Sequence, residues 1–244
     1  MKKIAFCNAK GGVAKTTCCV NIGAGLARLN YKTLLIDLDT QGQVTQSLGL
    51  APEKGLAELI EGETSLADAQ IEARENLFVI AGGQDLAGIK RMIARREIRS
   101  EMVLAETLEQ LNGFDYVLLD TAPSWDVLNV NCLFYTEAVA VPVSMEVLAL
   151  RGIAAFIANI EQVQQYRKEL KIKWIIPTFY DGRVKKSAEI LEQLKKHFGK
   201  AVVEPIRYNV RISEAPGFGQ HIFEYSAKSP GAHDYAQLIE RIVS

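Results

Sequence analysis

The chain has 244 residues, of which 48% are hydrophobic and 23% charged, so it has the composition of a globular protein and not of a disordered, collagen-like or coiled-coil chain. Its 28 lysines and arginines are balanced by 29 aspartates and glutamates, and this excludes nucleic-acid binding by bulk positive charge alone. At this length we expect a single domain over residues 1–244.

Short apolar runs alternate with segments of helical spacing along the chain. Because the runs are continuously apolar, they are typical of strands buried on both faces. The pattern predicts an α/β fold, with a doubly wound, mostly parallel sheet and helices on both faces. The predicted strands are Ile4–Asn8, Thr33–Asp37, Leu77–Ala81, Tyr116–Asp120, Ala138–Val143 and Ile172–Thr178. The predicted helices are Thr16–Leu29, Glu101–Leu111, Ile153–Tyr166 and Lys186–Phe198, and residues 51–76 are expected to form helix and loop only.

A glycine-rich loop follows the first predicted strand and opens the first predicted helix. Residues 10–17 read Lys-Gly-Gly-Val-Ala-Lys-Thr-Thr. Glycines let backbone N–H groups surround phosphate oxygens, and the helix N-terminus adds partial positive charge. We therefore predict that Lys15 reaches the β- and γ-phosphates and that the Thr16 hydroxyl binds Mg²⁺. The strict Walker pattern fails, since Ala9 and Ala14 stand at its glycine positions, and alanine at 14 suits the loop if its φ is negative.

Aspartates stand at the ends of two further predicted strands. Asp39 and Asp120 are expected at the ligand-binding edge, because the carboxyl ends of parallel strands meet there. Mg·ATP needs carboxylates to orient the metal's waters and the attacking water. We assign Asp39 to positioning the attacking water, directly or through the Mg²⁺ shell, and Asp120 to the metal's outer shell. Asp37 either shares such a role or holds the strand end and its loop.

Several motifs occur in an order that resembles the ParA/MinD family of deviant-Walker ATPases. They are the loop with its additional Lys10, residues 36–42, residues 118–124 and the strand end at 141–143. Residues 209–216, Asn-Val-Arg-Ile-Ser-Glu-Ala-Pro, closely resemble a segment of the Soj-type branch. The resemblance spans nearly the whole chain. It implies a P-loop NTPase-like fold, ATP and Mg²⁺ as ligands, and hydrolysis of ATP to ADP and phosphate.

The resemblance also implies roles for individual residues. Lys10 would cross to a partner subunit and contact its phosphates in a homodimer that encloses two ATP molecules, like an arginine finger supplied in trans. Tyr208 and Asn209 match a loop that covers adenine in the family. The expected catalytic residues are Lys10, Lys15 and Asp39, and the expected metal site is Thr16, Asp39 and Asp120. The expected nucleotide-binding residues are Lys10, Gly11, Gly12, Val13, Ala14, Lys15, Thr16, Thr17, Tyr208 and Asn209.

One part of the chain is basic. Residues 161–211 contain 12 lysines and arginines against 6 aspartates and glutamates, which is typical of either a local polyanion contact or solvated helix faces. Arg183 and Arg211 match family positions that contact nonspecific DNA, and Lys185 and Lys186 lie nearby in sequence. A dimer doubles this patch, so dimerisation can switch on a salt-sensitive DNA contact. A second basic cluster either extends the patch or forms a solvated helix face, and it comprises Lys90, Arg91, Arg95, Arg96 and Arg99.

Two functional classes, a membrane-associated ATPase and an iron–sulfur protein, are alternatives to DNA binding. A MinD-like membrane-associated ATPase, acting in cell division or positioning, needs a basic amphipathic helix at its C-terminus. Residues 235–244 contain one arginine, one glutamate and no Trp or Phe, so we expect them to pack on the domain and expect no membrane contact. An iron–sulfur electron-transfer protein needs cysteines in loops, whereas Cys18, Cys19 and Cys132 fall in helical segments. We expect reduced cysteines that fill apolar space.

These observations predict partners and a location. The first strand begins almost at Met1, so we expect no helix-turn-helix domain before it and binding to double-stranded DNA without sequence preference. A ParB-like activator would stimulate hydrolysis, and the output would be chromosome or plasmid partition or cargo positioning. The chain contains neither a signal-peptide pattern nor an apolar run of roughly 18–20 residues, so we expect a cytoplasmic, nucleoid-associated protein.

Overall fold

Seven strands form one sheet in the computed structural model, which describes residues 1–146 and 149–244. They are β1 (Lys2–Phe6), β2 (Thr33–Asp37), β3 (Gln70–Arg74), β4 (Leu77–Ile80), β5 (Tyr116–Asp120), β6 (Ala138–Ser144) and β7 (Lys171–Thr178). Their order is β3-β4-β2-β5-β1-β6-β7, and every neighbouring pair is parallel except β3 and β4. Because the central strands are parallel, the carboxyl ends of β1, β2, β5, β6 and β7 lie along one edge of the sheet.

The helices cover both faces of this sheet. They are α1 (Lys15–Arg28), α2 (Gln43–Ser47), α3 (Leu56–Glu61), α4 (Leu86–Ala94), α5 (Val103–Thr107), α6 (Val127–Tyr135), α7 (Ala149–Tyr166), α8 (Lys185–Phe198), α9 (Val210–Glu214), α10 (Ile222–Tyr225) and α11 (Pro230–Val243). On one face of the sheet, Leu34, Ile36 and Leu119 belong to a core cluster with apolar residues of α3 to α8. On the other face, Leu35 and Leu118 belong to a second cluster with apolar residues of α1, α2, α10 and α11. The predicted doubly wound α/β fold is confirmed.

Every predicted strand is present, within two residues at its ends, because continuous apolar runs mark strands buried on both faces. The interpretation of residues 51–76 as helix and loop is wrong in part, since β3 lies within them. This strand reads Gln-Ile-Glu-Ala-Arg and pairs antiparallel at the edge of the sheet, where only its Ala73 is buried. An edge strand exposed on one side lacks the continuous apolar run that identified the other strands.

The helix predicted over Glu101–Leu111 is shorter in the structure. A 3₁₀ turn over Ser100–Met102 leads into α5, which ends at Thr107. The C-terminal helix packs on the domain as predicted. In α11 the side chains of Tyr235, Leu238, Ile239 and Ile242 are buried, and a Cβ added at Gly25 of α1 would lie 2.1 Å from Ile239 Cδ1. In the described residues no helix is both long and apolar enough to cross a membrane.

Candidate functional site

The glycine-rich loop connects β1 to α1 at the carboxyl edge of the sheet. Gly12 and Ala14 both have left-handed backbones, with φ of 70° and 69°. The negative φ under which alanine was expected to suit position 14 is therefore not what the structure shows. The Ala14 carbonyl accepts the Cys18 N–H at 2.9 Å, so Ala14 makes the turn into α1 and starts the helix at once. This turn holds the backbone in a region that L-residues other than glycine rarely adopt.

Lys15 and Thr16 begin α1 and point toward the loop and β5. The buried Lys15 ammonium donates to the Lys10 carbonyl at 3.2 Å, across the turn of the loop. Burial lowers the pKa of Lys15, while the negative charges of Asp120 and Asp39 oppose that shift. The Thr16 hydroxyl donates to Asp120 Oδ2 at 2.6 Å. The loop backbone thus holds the Lys15 side chain, and β5 holds the Thr16 side chain.

Asp120 ends β5 and carries an unsatisfied acceptor. Its Oδ1 is buried and has no hydrogen-bond partner among the described residues. Burial raises the pKa of this carboxyl well above its usual range, and the neighbouring Asp37 adds to the rise. A hydrated Mg²⁺ bound to the Thr16 hydroxyl would supply both positive charge and water protons here, so these residues fit the ion. Among the described residues, no group of three or more Asp, Glu, His or Cys side chains is placed to hold a metal ion without other ligands.

Asp37 and Asp39 follow β2 and differ in their contacts. Both carboxylate oxygens of Asp37 accept backbone N–H groups, from Asp39 at 2.8 Å and from Val44 at 3.1 Å. Burial raises the pKa of Asp37 to about 7 in spite of these bonds. Of the two roles considered for Asp37, this geometry favours holding the loop and the start of α2. Asp39 uses one oxygen to accept the Gln41 N–H at 3.0 Å and lines a cleft beside the glycine-rich loop.

A cleft of about 560 Å³ opens between the glycine-rich loop, the loop after β2 and the loop after β5. Seven of the predicted site residues line it, namely Gly11, Gly12, Ala14, Lys15, Thr16, Thr17 and Asp39. Val13 is buried instead, and its carbonyl accepts the Thr178 hydroxyl at 3.1 Å, so it can reach a ligand only through its backbone. The structure thus gathers the predicted phosphate-binding and catalytic side chains, apart from Lys10, around one polar cleft.

Lys10 lies outside the lining of this cleft. Its ammonium pairs with the Glu146 carboxylate and lies 3.4 Å from the Ser144 hydroxyl, at the end of β6. Its backbone N–H donates to Asn8 Oδ1 at 2.9 Å, which fixes the start of the loop. The side chain is about one-third exposed. Lys10 is therefore available at the surface and does not reach into the cleft of its own chain.

A second, smaller pocket of about 200 Å³ adjoins the cleft through Ala14, Thr17 and Phe179. Tyr208 and Asn209, predicted to cover adenine, both line it. The Asn209 side chain also caps α9, since its Oδ1 accepts the Arg211 N–H at 2.9 Å. Phe179 was missed in the sequence, although its place directly after β7 could have indicated it. Its φ of 56° is unusual for a bulky residue, and this backbone sets the aromatic ring between the two cavities.

Lys90 was also misassigned. The sequence grouped it with four arginines, as an extension of the basic patch or a solvated helix face, but the structure places Lys90 in the lining of the same cleft as Lys15 and Asp39. Its ammonium lies 2.7 Å from Asp126 Oδ2, whereas Arg96 and Arg99 pair with Glu106. Only the folded arrangement of α4 against the loop after β5 reveals this pairing, and no motif in the sequence signals it.

The predicted DNA-binding side chains lie on two loops that the fold brings together. Tyr180 donates its N–H to Ile206 and accepts the Tyr208 N–H at 2.9 Å, so the chain before Arg183 runs beside the chain before Arg211. The Arg183 side chain is 88% exposed and pairs with Asp181, which lowers the pKa of that carboxyl to about 2. Arg211 pairs with Glu214 at 3.0 Å on the surface.

The nearby lysines and Arg207 differ in their partners, although all three are exposed. Lys185 and Lys186 occupy the first turn of α8 and follow Arg183 after one intervening residue. Arg207 pairs with the buried Asp234, so it holds the loop to α11 and is less available to a ligand. The four predicted DNA-binding residues, Arg183, Lys185, Lys186 and Arg211, are exposed and are not tied to a buried carboxylate as Arg207 is, and we call them the basic surface.

The cysteines form no candidate metal centre. Cys7, Cys18, Cys19 and Cys132 are all free and buried. Burial raises the pKa of Cys18 to about 12, so this thiol stays protonated. No cluster of three potential ligands includes them in the part of the chain that the structure describes. This packing agrees with the expected role as apolar filler and gives the iron–sulfur alternative no support.

The chain resembles characterised proteins over its full length. Residues 1–172 match the family model described as AAA domain. The "Chromosome-partitioning ATPase Soj" of Thermus thermophilus is 38% identical over 246 residues, which cover 100% of this chain and 96% of that protein. The "Chromosome partitioning protein ParA" of Caulobacter vibrioides is 35% identical over 253 residues, covering 100% and 94% of the two chains.

Solved structures share the fold. Cobyrinic acid a,c-diamide synthase from Mycobacterium smegmatis, solved with a bound ATP analogue and magnesium, superposes with a TM-score of 0.86 at 32% identity, covering 100% of this chain and 94% of that one. The septum site-determining protein MinD from Pyrococcus horikoshii, solved with Mg-ADP, has a TM-score of 0.81 at 20% identity and covers 99% and 95%. The second likeness concerns the fold alone.

Proposed function

Because the chain belongs to the AAA domain family and, within it, to the ParA/Soj chromosome-partitioning ATPases, we propose that it is an ATP-driven switch on DNA. It binds Mg·ATP, forms a homodimer around two nucleotides and then binds double-stranded DNA without sequence preference. Hydrolysis of ATP to ADP and phosphate ends this state. Its output is the partition of a chromosome or plasmid, or the positioning of another cargo on the nucleoid.

The cleft lined by Lys15, Thr16 and Asp39, which we call the phosphate cleft, supplies the groups that the triphosphate and its metal need. Backbone N–H groups of the glycine-rich loop and the Lys15 ammonium neutralise phosphate oxygens, because the loop also opens a helix N-terminus. The Thr16 hydroxyl binds Mg²⁺ and Asp120 orients the waters of the metal. Mg²⁺, when bound, screens the phosphate charge. The unsatisfied oxygen of Asp120 supports this assignment, since it leaves an acceptor free for a water of the metal.

Hydrolysis and dimerisation depend on Asp39 and Lys10. Asp39 lines the cleft with one oxygen not used by Gln41, and in this proposal that oxygen orients the attacking water. Lys10 leaves Glu146 and reaches the phosphates of the partner subunit, where its charge stabilises the transferred group. The exposure of Lys10 outside its own cleft supports this role in trans. A ParB-like activator would accelerate the step.

One observation carries the link from ATP to DNA. The two loops that wall the smaller pocket, through Phe179 and through Tyr208 with Asn209, continue directly into the residues of the basic surface. A nucleotide base in that pocket contacts both loops and so fixes Arg183 and Arg211 relative to each other, whether the nucleotide is ATP or ADP. In this proposal the difference between ATP and ADP comes from the dimer, which forms with ATP. Two copies of this surface in a dimer act together on one duplex, whereas a single copy binds weakly.

The membrane-associated alternative has less support. The apolar face of α11 is buried against α1 and is not available to lipid. A lipid-surface helix needs that face free and basic residues beside it, but α11 carries one basic residue in its last turn. We therefore favour a cytoplasmic protein that associates with the nucleoid.

A charge-reversal variant tests the proposed function. Arg183→Glu with Arg211→Glu should weaken binding to an arbitrary duplex by more than tenfold in ATP, since it removes two phosphate contacts and adds repulsion. ATP-dependent dimerisation should persist in gel filtration. The matched control is Lys171→Glu with Lys173→Glu, which makes the same charge change at exposed residues of β7. If both variants lose DNA binding equally, or neither does, the basic surface is not the DNA site.

A further inference from the structure

An ion pair that the proposed chemistry does not use spans one wall of the phosphate cleft. Lys90 on α4 and Asp126, directly before α6, lie 2.7 Å apart with side chains that are 23% and 25% exposed. Lys90 is also the one described residue of α4 in the cleft lining. A partly buried ion pair removes water from both charges, and this has a free-energy cost that an exposed lysine avoids. A gain in folding stability is therefore a weak explanation for the Lys90–Asp126 pair.

Asp126 is the anchor of the loop that follows β5. Its Oδ1 accepts the N–H groups of Leu128 and Asn129, and its Oδ2 accepts the Ser124 hydroxyl at 2.9 Å. The Asn129 amide in turn donates to the Ala122 and Ser124 carbonyls. Residues 121–126, which we call the cleft loop, are therefore held through Asp126 and Asn129 at the start of α6.

Lys90 ties this arrangement to a different element. Thr121, Ala122, Pro123 and Ser124 of the cleft loop line the same cleft as Lys15 and Asp39. Burial opposes ionisation of Asp126, but the hydrogen bonds from Lys90 and Ser124 outweigh it and lower the pKa of this carboxyl, so it is charged at neutral pH. The Lys90 ammonium thus fixes the loop by its charge as well as by its hydrogen bond.

We propose that Lys90 is a positioning residue for ATP hydrolysis, which, through its ion pair with Asp126, holds the cleft loop in the geometry that the reacting phosphate requires. The inference rests on the proposed function, because it assumes that the cleft holds the triphosphate. The glycine-rich loop, Lys15 and Thr16 determine the affinity for the nucleotide. The ion pair determines the position of the cleft loop, which forms the opposite wall of the cleft. Loss of the pair therefore lowers turnover more than it changes the KM for ATP.

The chain carries its own reporter for this loop. Trp125 lies between Ser124 and Asp126, is 36% exposed, and packs edge-on against Phe156 with ring centroids 6.0 Å apart. Trp174, the other tryptophan of the sequence, is buried in β7. In a Trp174→Phe background the fluorescence of Trp125 reports the environment of the cleft loop.

Steady-state kinetics of a double-mutant cycle test the proposal. The variants are Lys90→Met, Asp126→Asn and their combination, because asparagine keeps the cap of α6 and loses the charge. We expect each single variant to lower kcat by about three- to tenfold with KM within about twofold, and the combination to add little, as for coupled residues. Lys90→Arg should restore most of kcat, and the exposed neighbour change Arg91→Met should leave it unaltered.

Two results would overturn the proposal. One is multiplication of the single-variant losses in the combination, which would mean that the residues act independently. The other is an unchanged kcat in Lys90→Met. Matching Trp125 emission with ATP would then show that the cleft loop keeps its position without Lys90. The wild-type chain is the reference for the proposed function itself. If the wild-type chain neither binds nor hydrolyses ATP, the proposed function itself fails. If the wild-type chain hydrolyses ATP and the Lys90 variants do so equally fast, only the proposal for Lys90 fails.

Discussion

At Ala14 the glycine-rich loop carries a Cβ where the backbone has a φ of 69°. For an L-residue other than glycine this conformation costs roughly 1–2 kcal/mol. The loop keeps it because the next residues, Lys15 and Thr16, must begin α1 facing Asp120 and the cleft. The strained residue thus lies at the turn that orients the Lys15 and Thr16 side chains.

This strain predicts the sign of a simple substitution. Ala14→Gly should raise the free energy of unfolding by about 1 kcal/mol, because glycine adopts a left-handed backbone without a Cβ clash. The same change at the exposed Ala158, inside α7, should lower it by about 1 kcal/mol. Urea denaturation without nucleotide measures both values. Equal destabilisation by the two variants would contradict the left-handed turn at Ala14.

Asp39 tests the separation of binding from hydrolysis at a single residue. Asp39→Ala should reduce phosphate release by about a hundredfold or more while ATP binding persists, since Lys15 and the loop hold the nucleotide. The dimer should then accumulate with ATP in gel filtration. Asp85→Ala, at an exposed aspartate just before α4, is the control and should hydrolyse normally. Full turnover by Asp39→Ala would remove Asp39 from this role.

At the scale of elements, the first turn of α8 has an unfavourable electrostatic arrangement. Lys185 and Lys186 lie at the helix N-terminus, where the macrodipole is positive, and no acidic residue occupies that turn. Each lysine placed there costs about 0.3–1 kcal/mol, whereas Lys195 and Lys196 in the last turn are favourable. The positive charge concentrated in this turn attracts an anion. Arg183, which precedes the turn in the chain, adds to this charge.

The two ends of α8 therefore predict opposite effects. Lys185→Gln with Lys186→Gln should leave stability unchanged or raise it by up to about 1 kcal/mol. The same variant should weaken DNA binding and reduce the slope of log affinity against log salt by about one for each DNA phosphate that it no longer neutralises. Lys195→Gln with Lys196→Gln should lower stability and leave the DNA slope unaltered. Thermal unfolding and anisotropy titrations distinguish these outcomes, and loss of DNA binding only in the second variant would contradict the assigned surface.

The elements differ in how far their sequence determines them. Strands such as Thr33–Asp37 and Tyr116–Asp120 were predicted at their observed bounds, because burial on both faces demands continuous apolar residues. β3 was not, since pairing at an exposed edge depends on β4 more than on its own residues. Most of the cleft was predictable because its residues follow strands in short motifs. The Lys90–Asp126 pair and the place of Phe179 were not, because each depends on a tertiary contact between distant segments.

At the scale of the whole molecule, a nearly neutral chain concentrates positive charge in one local surface. The net charge is −1, yet the basic surface gathers four exposed cations beside the smaller pocket. In the proposed dimer about eight such side chains act together, so affinity for DNA should fall by roughly four orders of magnitude between about 50 and 200 mM salt. The coupling is reciprocal, so DNA should strengthen ATP retention by the same factor that ATP strengthens DNA binding.

The measurement that tests this account most directly is the nucleotide dependence of DNA binding by the wild-type chain. Fluorescence anisotropy of an arbitrary labelled duplex would be titrated with ATP, with ADP and without nucleotide, at about 50 and 200 mM salt, where phosphate contacts weaken steeply. The account predicts tight binding with ATP alone, equal affinity for unrelated sequences and a steep loss at the higher salt. Binding that is equal in ATP and ADP, or absent while ATP is bound, would contradict a nucleotide-switched DNA contact.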